Sequence, residues 1–442
     1  MKTLADYKQY LQYSSDEFYA YQLDKLKAFV NKIKTGSKYY QKVLAKHTEI
    51  TGFDDFEKLP LLEQGILRES DPEELIAVPW ENISYITRSS GSTGKSKVVL
   101  WTPDSLKEEL KWGTLGFLLE ELVQHSRLAV LMPFDMTRLT YTIDVCREMG
   151  AFIIPIGRIR DNIDVDNAIY FLRVAKATHL LGSPARLESI AARIIEMGLD
   201  PKKDFAVTHL LTGGAILTPH MRKSLGNVWG AKVFEQAGAN ELSFIGAECK
   251  YHNGLHLTPG LHYVEILDED THLPIKDGKS GEIVITQFTN LATPLLRYRL
   301  GDRGHLIKDK CPCGLSFPRL FIEGRIGGTI TIGGTKIHAF QIENVLSQFS
   351  QISQFYQAQI TGDNAHTLVK LVVEANVKAD ILTELSTDIV GRLNNDPMVV
   401  FEVNDKIKNG ELEFEIEFVA PGSLERSGGD KVKNQYLEKR SI

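Results

Sequence analysis

Apolar residues recur at helical spacing through the first stretch of the chain: Phe18, Leu23, Leu26, Phe29, Val30 and Ile33 fall on one face, so residues 6–48 are expected to be largely helical. The pattern then shortens. Residues 84–88 and 98–101 read as brief strands around a Gly/Ser loop. Residues 128–132, 152–156 and 179–181 are short apolar runs, each followed by a helical pattern, and 186–199 is one such helix, ending near Gly198. Residues 207–211 and 232–234 repeat the theme as strands. Strands that alternate with helices predict a mostly parallel sheet with helices on its faces. From 255 to 307 the texture changes to strands and turns; His262–Leu267 and 281–286 alternate well and are joined by a polar turn. After Arg325 a glycine-rich passage leads to an α+β tail, with helices near 339–349 and 378–394 and strands near 357–361, 367–373 and 413–419. The expected fold is therefore α/β: a large N-terminal α/β domain, 1–324, and a small C-terminal α+β domain, 325–442, meeting near Gly324–Gly328. No internal repeat or low-complexity tract is present.

Length and composition narrow the function classes. A chain of 442 residues, 43% hydrophobic and 24% charged, has the make-up of an ordinary globular enzyme. A net charge of −6, with no basic run interleaved with aromatics, argues against nucleic acid as a partner. Met1-Lys2-Thr3-Leu4-Ala5-Asp6 turns polar at once, so no signal peptide is expected. No apolar stretch approaches the roughly 20 residues needed to span a bilayer. A cytoplasmic protein without a membrane partner is the expectation, and a homodimer stays open. Four cysteines are too few for a disulfide scaffold.

Candidate chemistry begins between the first two strands, at Thr87-Arg88-Ser89-Ser90-Gly91-Ser92-Thr93-Gly94-Lys95-Ser96-Lys97. Glycines let backbone N–H groups and hydroxyls converge on phosphate, and lysines add positive charge. It is not a Walker A loop, because Ser89 stands where that pattern needs glycine. No Gly-x-Ser-x-Gly elbow occurs, which sets a hydrolase aside. Cys249 and His256, with six residues between them, and Cys311-Pro312-Cys313 supply three thiols and an imidazole, the N/S set that structural zinc prefers. Four protein ligands leave no open position, so such a zinc would be structural. Cys146 stands apart in a helical pattern and is expected in the core.

The Ser/Gly/Lys loop resembles the phosphate loop of the acyl-adenylate-forming superfamily, which includes acyl-CoA synthetases, luciferases and peptide-synthetase adenylation domains. Three further segments match that superfamily in order: Ala237-Gly238-Ala239-Asn240-Glu241; Arg297-Tyr298-Arg299-Leu300-Gly301-Asp302; and Gly324-Arg325 followed by Gly333-Gly334 and Gln341-Ile342-Glu343. The phenylacetate–CoA ligase branch is the nearest in pattern, through Leu211-Thr212-Gly213-Gly214, Glu248-Cys249, Gly254-Leu255-His256, Thr293-Pro294-Leu295-Leu296 and Cys311-Pro312-Cys313-Gly314. Some members of that branch share the Cys/His cluster.

The resemblance, which covers about residues 55–440, implies an AMP-forming ligase. It would join a small carboxylic acid, aryl or arylacetic, to ATP, release pyrophosphate, and pass the acyl group to coenzyme A. A carrier-protein phosphopantetheine or an amine is an alternative acceptor, and a non-catalytic nucleotide- or acyl-binding paralogue is a second alternative. Implied roles follow. Ser89, Ser90, Gly91, Ser92, Thr93, Gly94 and Lys95 would cradle phosphate. Glu241 would hold magnesium and Asp302 the ribose hydroxyls. Gly213, Gly214, Ala215, Glu235, Gln236, Ala237 and Gly238 would line the adenine site, with Asn240 beside it. Arg325 is assigned to the nucleotide or the hinge. The tail would be mobile, swinging about Gly327-Gly328 between two half-reactions. The chain departs from the family where Ala237 replaces an aromatic residue, Asn240 a Thr or Ser, and Gly327-Gly328 an acidic pair. In the terminal motif Asp430 takes the place of the catalytic lysine, which leaves Lys431 first and Lys433 second as its substitutes.

Overall fold

The computed structural model describes residues 1–442 apart from 48, 89–95, 134–136, 160, 276–277, 327–328, 333–334, 350, 363–365, 376–378, 421–422, 425, 428–430, 433–436 and 439–442. The chain folds as two units: Met1–Leu217 with Leu225–Ile322, and Thr218–Ser224 with Glu323–Ile442.

The first unit is organised by an eleven-stranded sheet. Ahead of it in sequence, β1 (Tyr85–Arg88) and β2 (Val98–Trp101) form a separate antiparallel pair. The sheet uses β3 (Arg127–Val130), β4 (Phe152–Pro155), β5 (His179–Gly182), β6 (His209–Thr212), β7 (Lys232–Ala239), β8 (Ser243–Ala247), β9 (Leu255–Leu257), β10 (His262–Leu267), β11 (Gly281–Gln287), β12 (Tyr298–Ile307) and β13 (Arg319–Arg325). Their order is β10-β11-β12-β13-β9-β8-β7-β6-β5-β3-β4. The five strands from β4 to β7 are mutually parallel. Leu128, Ala129 and Val130 are fully buried in β3, as both faces of a helix-covered parallel sheet must be.

From β7 onward the described ladders are antiparallel, so the expectation of a mostly parallel sheet holds only for one half. Links as short as the one between β7 and β8 cannot return a strand in parallel. β7 is the pivot, parallel to β6 and antiparallel to β8, and it runs five residues past the expected 232–234.

The N-terminal helix Ser15–Gly36 begins at a capping box, in which the Glu17 N–H donates to the Ser14 hydroxyl and the Ser14 N–H donates to the Glu17 carboxylate. Its buried Leu26, Phe29, Val30 and Ile33 pack with Tyr40, Phe56, Tyr263 and Leu296. A second core joins the helices Pro103–Leu119 and Thr137–Met149 to the parallel strands through Trp112, Leu115, Tyr141, Leu181, Leu211 and Phe234. Cys146 is fully buried within it, as expected.

The second unit has β14 (Thr329–Ile332) paired with β15 (Thr335–His338), and a sheet of β16 (Ile352–Gly362), β17 (Thr367–Ala375) and β18 (Leu412–Val419). β17 is parallel to β18 and antiparallel to β16. Ile342, Val345, Leu385, Ile389, Val399 and Val403 from helices Ala339–Leu346, Ala379–Leu393 and Pro397–Lys408 complete its core. Among the described residues no helix is long and apolar enough to cross a membrane.

Candidate active site

The carboxylate of Glu241 lies just past the end of β7, where the chain turns into β8. It is 6% exposed, and its Oε1 accepts from Lys97 Nζ and from the Tyr298 hydroxyl, each at 2.7 Å. Lys97 Nζ also donates to the Tyr298 oxygen at 2.7 Å and to Gln64 Oε1 at 3.0 Å. Burial alone would raise the Glu241 pKa. The Lys97 ammonium and the hydrogen bonds from Lys97 and Tyr298 outweigh it and hold the carboxyl below its ordinary 4.5. Glu241 is thus a buried, ionised oxygen ligand rather than a solvated surface acid. A hard cation could take the place of the ammonium on that oxygen.

Lys97 is a residue whose partner the sequence does not reveal. It closes the Ser/Gly/Lys segment, and its partner follows 144 residues later. The loop 89–95, carrying the candidate phosphate ligands Ser89 to Lys95, lies outside the described residues. Its two flanks are placed. β1 and β2 bring Arg88 opposite Val98, and the Asn240 side chain donates to the Arg88 carbonyl at 3.2 Å. Lys97 and Asn240 thereby bind both flanks of the loop to the segment around Glu241.

The other candidates gather around β6 and β7. Thr212 pairs with Glu235, and the chain then turns through Gly213 and Gly214, where φ is +80° and glycine is favoured. Ala215 follows. The Glu235 carboxylate accepts from the Leu217 N–H at 3.4 Å, and the Glu235 N–H donates to Glu248 Oε2 at 2.8 Å. Strand alternation separates the members of this group: Glu235 and Ala237 share one face of β7, while Gln236 and Gly238 lie on the other.

Asp302 sits half-buried in a bulge of β12. Glu282 pairs with Arg303 but Val284 with Arg299, so two steps on β11 face four on β12, and Gly301 adopts φ +78°. Asp302 falls in the bulged stretch between these two pairings. Its motif neighbours have structural partners. Arg297 is buried, binds Glu265 through two nitrogens and donates to the carbonyls of Glu57 and Leu59; Arg299 binds Glu282 and Glu63. Arg325 ends β13, exposed, in the second unit. Lys431 lies on a two-residue strand paired with Arg426–Ser427, and its side chain is outside the description. Lys433, Gly327, Gly328, Gly333, Gly334 and Asp430 also lie outside the described residues.

The donor atoms of Cys249, His256, Cys311 and Cys313 all lie within 4.8 Å of one another. Pairing of His256 with Arg319 in β9 and β13 brings the two halves of the cluster together. Cys249 Sγ is 3.8 Å from Cys311 Sγ, and Cys313 Sγ is 3.5 Å from His256 Nε2. Tetrahedral zinc with bonds of about 2.3 Å to sulfur and 2.0–2.1 Å to nitrogen would set such edges at about 3.8 and 3.5 Å. The residues therefore fit a four-coordinate N/S site. Hydrogen bonding with Cys313, then burial, pushes the Cys249 thiol up to about 12, and its hydrogen bond with Cys249 lowers Cys313. A bound cation must displace the protons that these thiols share.

The profile of the AMP-binding enzyme family matches residues 19–292. A phenylacetate-coenzyme A ligase of Thermus thermophilus is 25% identical over 437 residues, 94% of this chain and 95% of the relative. A phenylacetate-coenzyme A ligase of Aromatoleum evansii is 25% identical over 433 residues, 93% of this chain and 94% of the relative. Among solved structures, 2-hydroxyisobutyryl-CoA ligase in the postadenylation state superposes with a TM-score of 0.84 at 19% identity, covering 98% of this chain and 92% of that one. The latter likeness is one of fold: the large α/β unit followed by a small α+β unit is the architecture of adenylate-forming enzymes. The family match takes in the Ser/Gly/Lys loop, the buried Glu241–Lys97 pair and the glycine turn after β6, and on that match the chain belongs to the AMP-binding enzyme family.

Proposed function

We propose that the chain is an AMP-forming acid–thiol ligase that adenylates a small carboxylic acid with ATP and transfers the acyl group to coenzyme A. The observation that carries this reading is the buried Glu241–Lys97–Tyr298 cluster, set between the flanks of the Ser/Gly/Lys loop. Adenylation drives a carboxylate onto a polyphosphate, so two anions must be screened from each other. Glu241 would hold magnesium, whose charge supplies that screening when bound. Lys97, exchanged off Glu241, would be left to face phosphate. Glu235, Ala237 and the Gly213–Ala215 turn would line the adenine, and residues 1–324 would bind acid and nucleotide. The phenylacetate-coenzyme A ligases to which the chain is similar supply the acceptor and suggest an aryl or arylacetic acid. Cys249, His256, Cys311 and Cys313 would hold a structural zinc.

Acid-dependent exchange of labelled pyrophosphate into ATP tests the adenylation step. Exchange with at least one carboxylic acid is expected, followed by thioester formation when coenzyme A is added. If CoA fails while a carrier protein or hydroxylamine accepts the acyl group, the acceptor assignment is wrong. If no acid supports exchange, the chain is not a ligase.

Two substitutions examine single roles. Asp302→Ala removes a carboxylate proposed to accept from the ribose hydroxyls. A lost charge-assisted hydrogen bond is worth about 1.5–3 kcal/mol, so the Kd for ATP should rise roughly ten- to 150-fold. Unchanged affinity in a calorimetric titration would remove Asp302 from the ribose site. Lys431→Ala is expected to slow adenylate formation about 10²-fold, the scale for losing one donor to developing charge. Thioester formation from supplied acyl-adenylate should stay nearly intact. Equal slowing of both half-reactions, or of neither, would move the role to Lys433.

A further inference from the structure

Three neighbouring parallel strands end in a row that the surrounding protein leaves incomplete. In the ladders of β5, β6 and β7, Leu181 stands opposite Leu211 and Leu211 opposite Phe234. Two residues further along, the same registers set Ser183 beside Gly213 and Gly213 beside Gln236. The Gly213 N–H donates to the Gly182 carbonyl at 3.2 Å, which carries the β5–β6 pairing to that point. Alternation puts these three residues on the face of Leu181, Leu211 and Phe234, the face covered by helices Pro103–Leu119 and Thr137–Met149.

The middle of the row carries no side chain and its two sides are polar. Among the described residues, a Cβ built on Gly213 would have only Gln236 within 4 Å, the backbone oxygen closely at 3.0 Å and Cγ at 3.6 Å. Gln236 is 2% exposed, and among the described residues neither its Oε1 nor its Nε2 has a hydrogen-bond partner. The buried Ser183 hydroxyl has none among them either. It precedes helix Pro184–Glu196 at the N-cap, where a serine oxygen ordinarily accepts from the first turn, yet it makes no such bond. A buried amide without partners costs free energy, and native proteins keep few of them without a reason. The row lies at the carboxyl ends of parallel strands, where open α/β sheets bind ligands. Gln236 and Gly213 are both candidates for lining the adenine, but Gln236 is on the opposite face of β7 from Glu235 and Ala237.

We infer that the slot between Ser183 and Gln236, opened by Gly213, receives the acyl part of the acid, and that this acid carries a hydroxyl group that the Gln236 amide binds. The inference rests on the ligase reading above. A hydroxyl both donates and accepts, and so satisfies an amide that offers one of each and a serine that can do either. An unsubstituted phenyl or alkyl group would leave all three atoms orphaned. The row holds no charged side chain, which sets aside an ionic substituent. Gln236 is then a specificity-determining residue, and hydroxylated acids are the substrate class.

The test is pyrophosphate exchange by the full chain with matched pairs: phenylacetate against the hydroxyphenylacetates, benzoate against the hydroxybenzoates, and short aliphatic acids against their 2-hydroxy counterparts. A site built to hydrogen-bond a hydroxyl rejects the analogue that lacks it. In at least one pair the hydroxylated acid should be favoured by about 10²-fold or more in kcat/KM. Gln236→Leu should cut that ratio at least tenfold, with a melting temperature equal to or above that of the wild type, because it removes two unpaired buried atoms. A glutamine with a purely structural role would instead give a lower melting temperature and an unchanged ratio. Gln236→Met, which keeps length without hydrogen bonds, serves if the leucine does not fit. Exchange in which unsubstituted acids match or exceed their hydroxylated partners overturns this inference and leaves the ligase standing. So does an undiminished ratio in both variants. No exchange with any acid overturns the ligase reading and this inference with it.

Discussion

Lys97→Met is expected to destabilise the folded protein by about 3–5 kcal/mol at neutral pH, because it leaves one member of a buried ion pair without its partner. The two side chains are 9% and 8% exposed and 2.7 Å apart, so water cannot replace the lost ammonium. Methionine preserves most of the volume, which keeps a cavity term small. The pH dependence identifies the cause. In the wild type the folded Glu241 pKa lies below its ordinary 4.5. The folded state therefore binds its proton more weakly than the unfolded chain does. That contribution is fully present above the unfolded value and is lost as pH falls through the folded one. Burial is already the largest single influence on Glu241 and raises its pKa, and without Lys97 it loses its strongest opponent. The sign reverses: the variant's deficit should be largest at neutral pH and shrink as pH falls toward the unfolded value. Urea unfolding of both proteins between about pH 7 and pH 5 measures this difference. A deficit that stays constant across the range would mean that Lys97 acts on stability through packing and not through the charge on Glu241.

This pair also marks how far the sequence could be read. The strands from β3 to β6 were legible because each is a short apolar run bounded by turn residues. β7 was legible only at its start, since Glu235-Gln236-Ala237-Gly238-Ala239 has neither β-branched nor aromatic residues. It is extended because β6 and β8 pair with it from both sides, and tertiary pairing overrides weak local preference. The alternation of β10 marks a strand but says nothing of its burial. All six of its residues are buried, with Glu265 held by Arg297 from 32 residues away. In the tail, the helix Pro397–Lys408 went unseen because its Val399-Val400-Phe401 run has the texture of a strand. The metal-ligand candidates were legible for the opposite reason: Cys311-Pro312-Cys313 and Cys249 with His256 are local spacings. Partners that lie far apart in sequence leave no local signal, and Lys97 with Glu241 is the case that matters most for the chemistry.

Removal of a zinc ion from the cysteine–histidine cluster is expected to lower stability by about 4 kcal/mol, the chain-entropy estimate for a cross-link closing the 62-residue span from Cys249 to Cys311. With about 2.1 cal/mol/K of unfolding entropy per residue, a unit of this size shifts by roughly 1–1.5 °C per kcal/mol, a fall of about 5 °C in melting temperature. Cys311→Ser should produce most of it, since three remaining donors no longer make a closed tetrahedral set. Freshly purified, chelator-free protein should carry about one zinc per chain by elemental analysis. Finding none, with Cys311→Ser melting like the wild type, would leave the cluster as four reduced side chains. The consequence should also reach the nucleotide. Cys249 follows Glu248, whose Oε2 accepts from the Glu235 N–H at 2.8 Å and from His252 Nδ1 at 3.3 Å. The turn that the metal would fix therefore also fixes the backbone of the strand proposed to line the adenine. Once the turn loosens, Glu248 can release that N–H, and Glu235 loses its set position beside the Gly213–Ala215 turn. Chelator-treated protein, assayed well below its melting temperature, should bind ATP more weakly than zinc-loaded protein, and adding zinc should restore the affinity. If the two bind ATP equally while differing in melting temperature, the metal stabilises the fold and Glu248 transmits nothing to the nucleotide site.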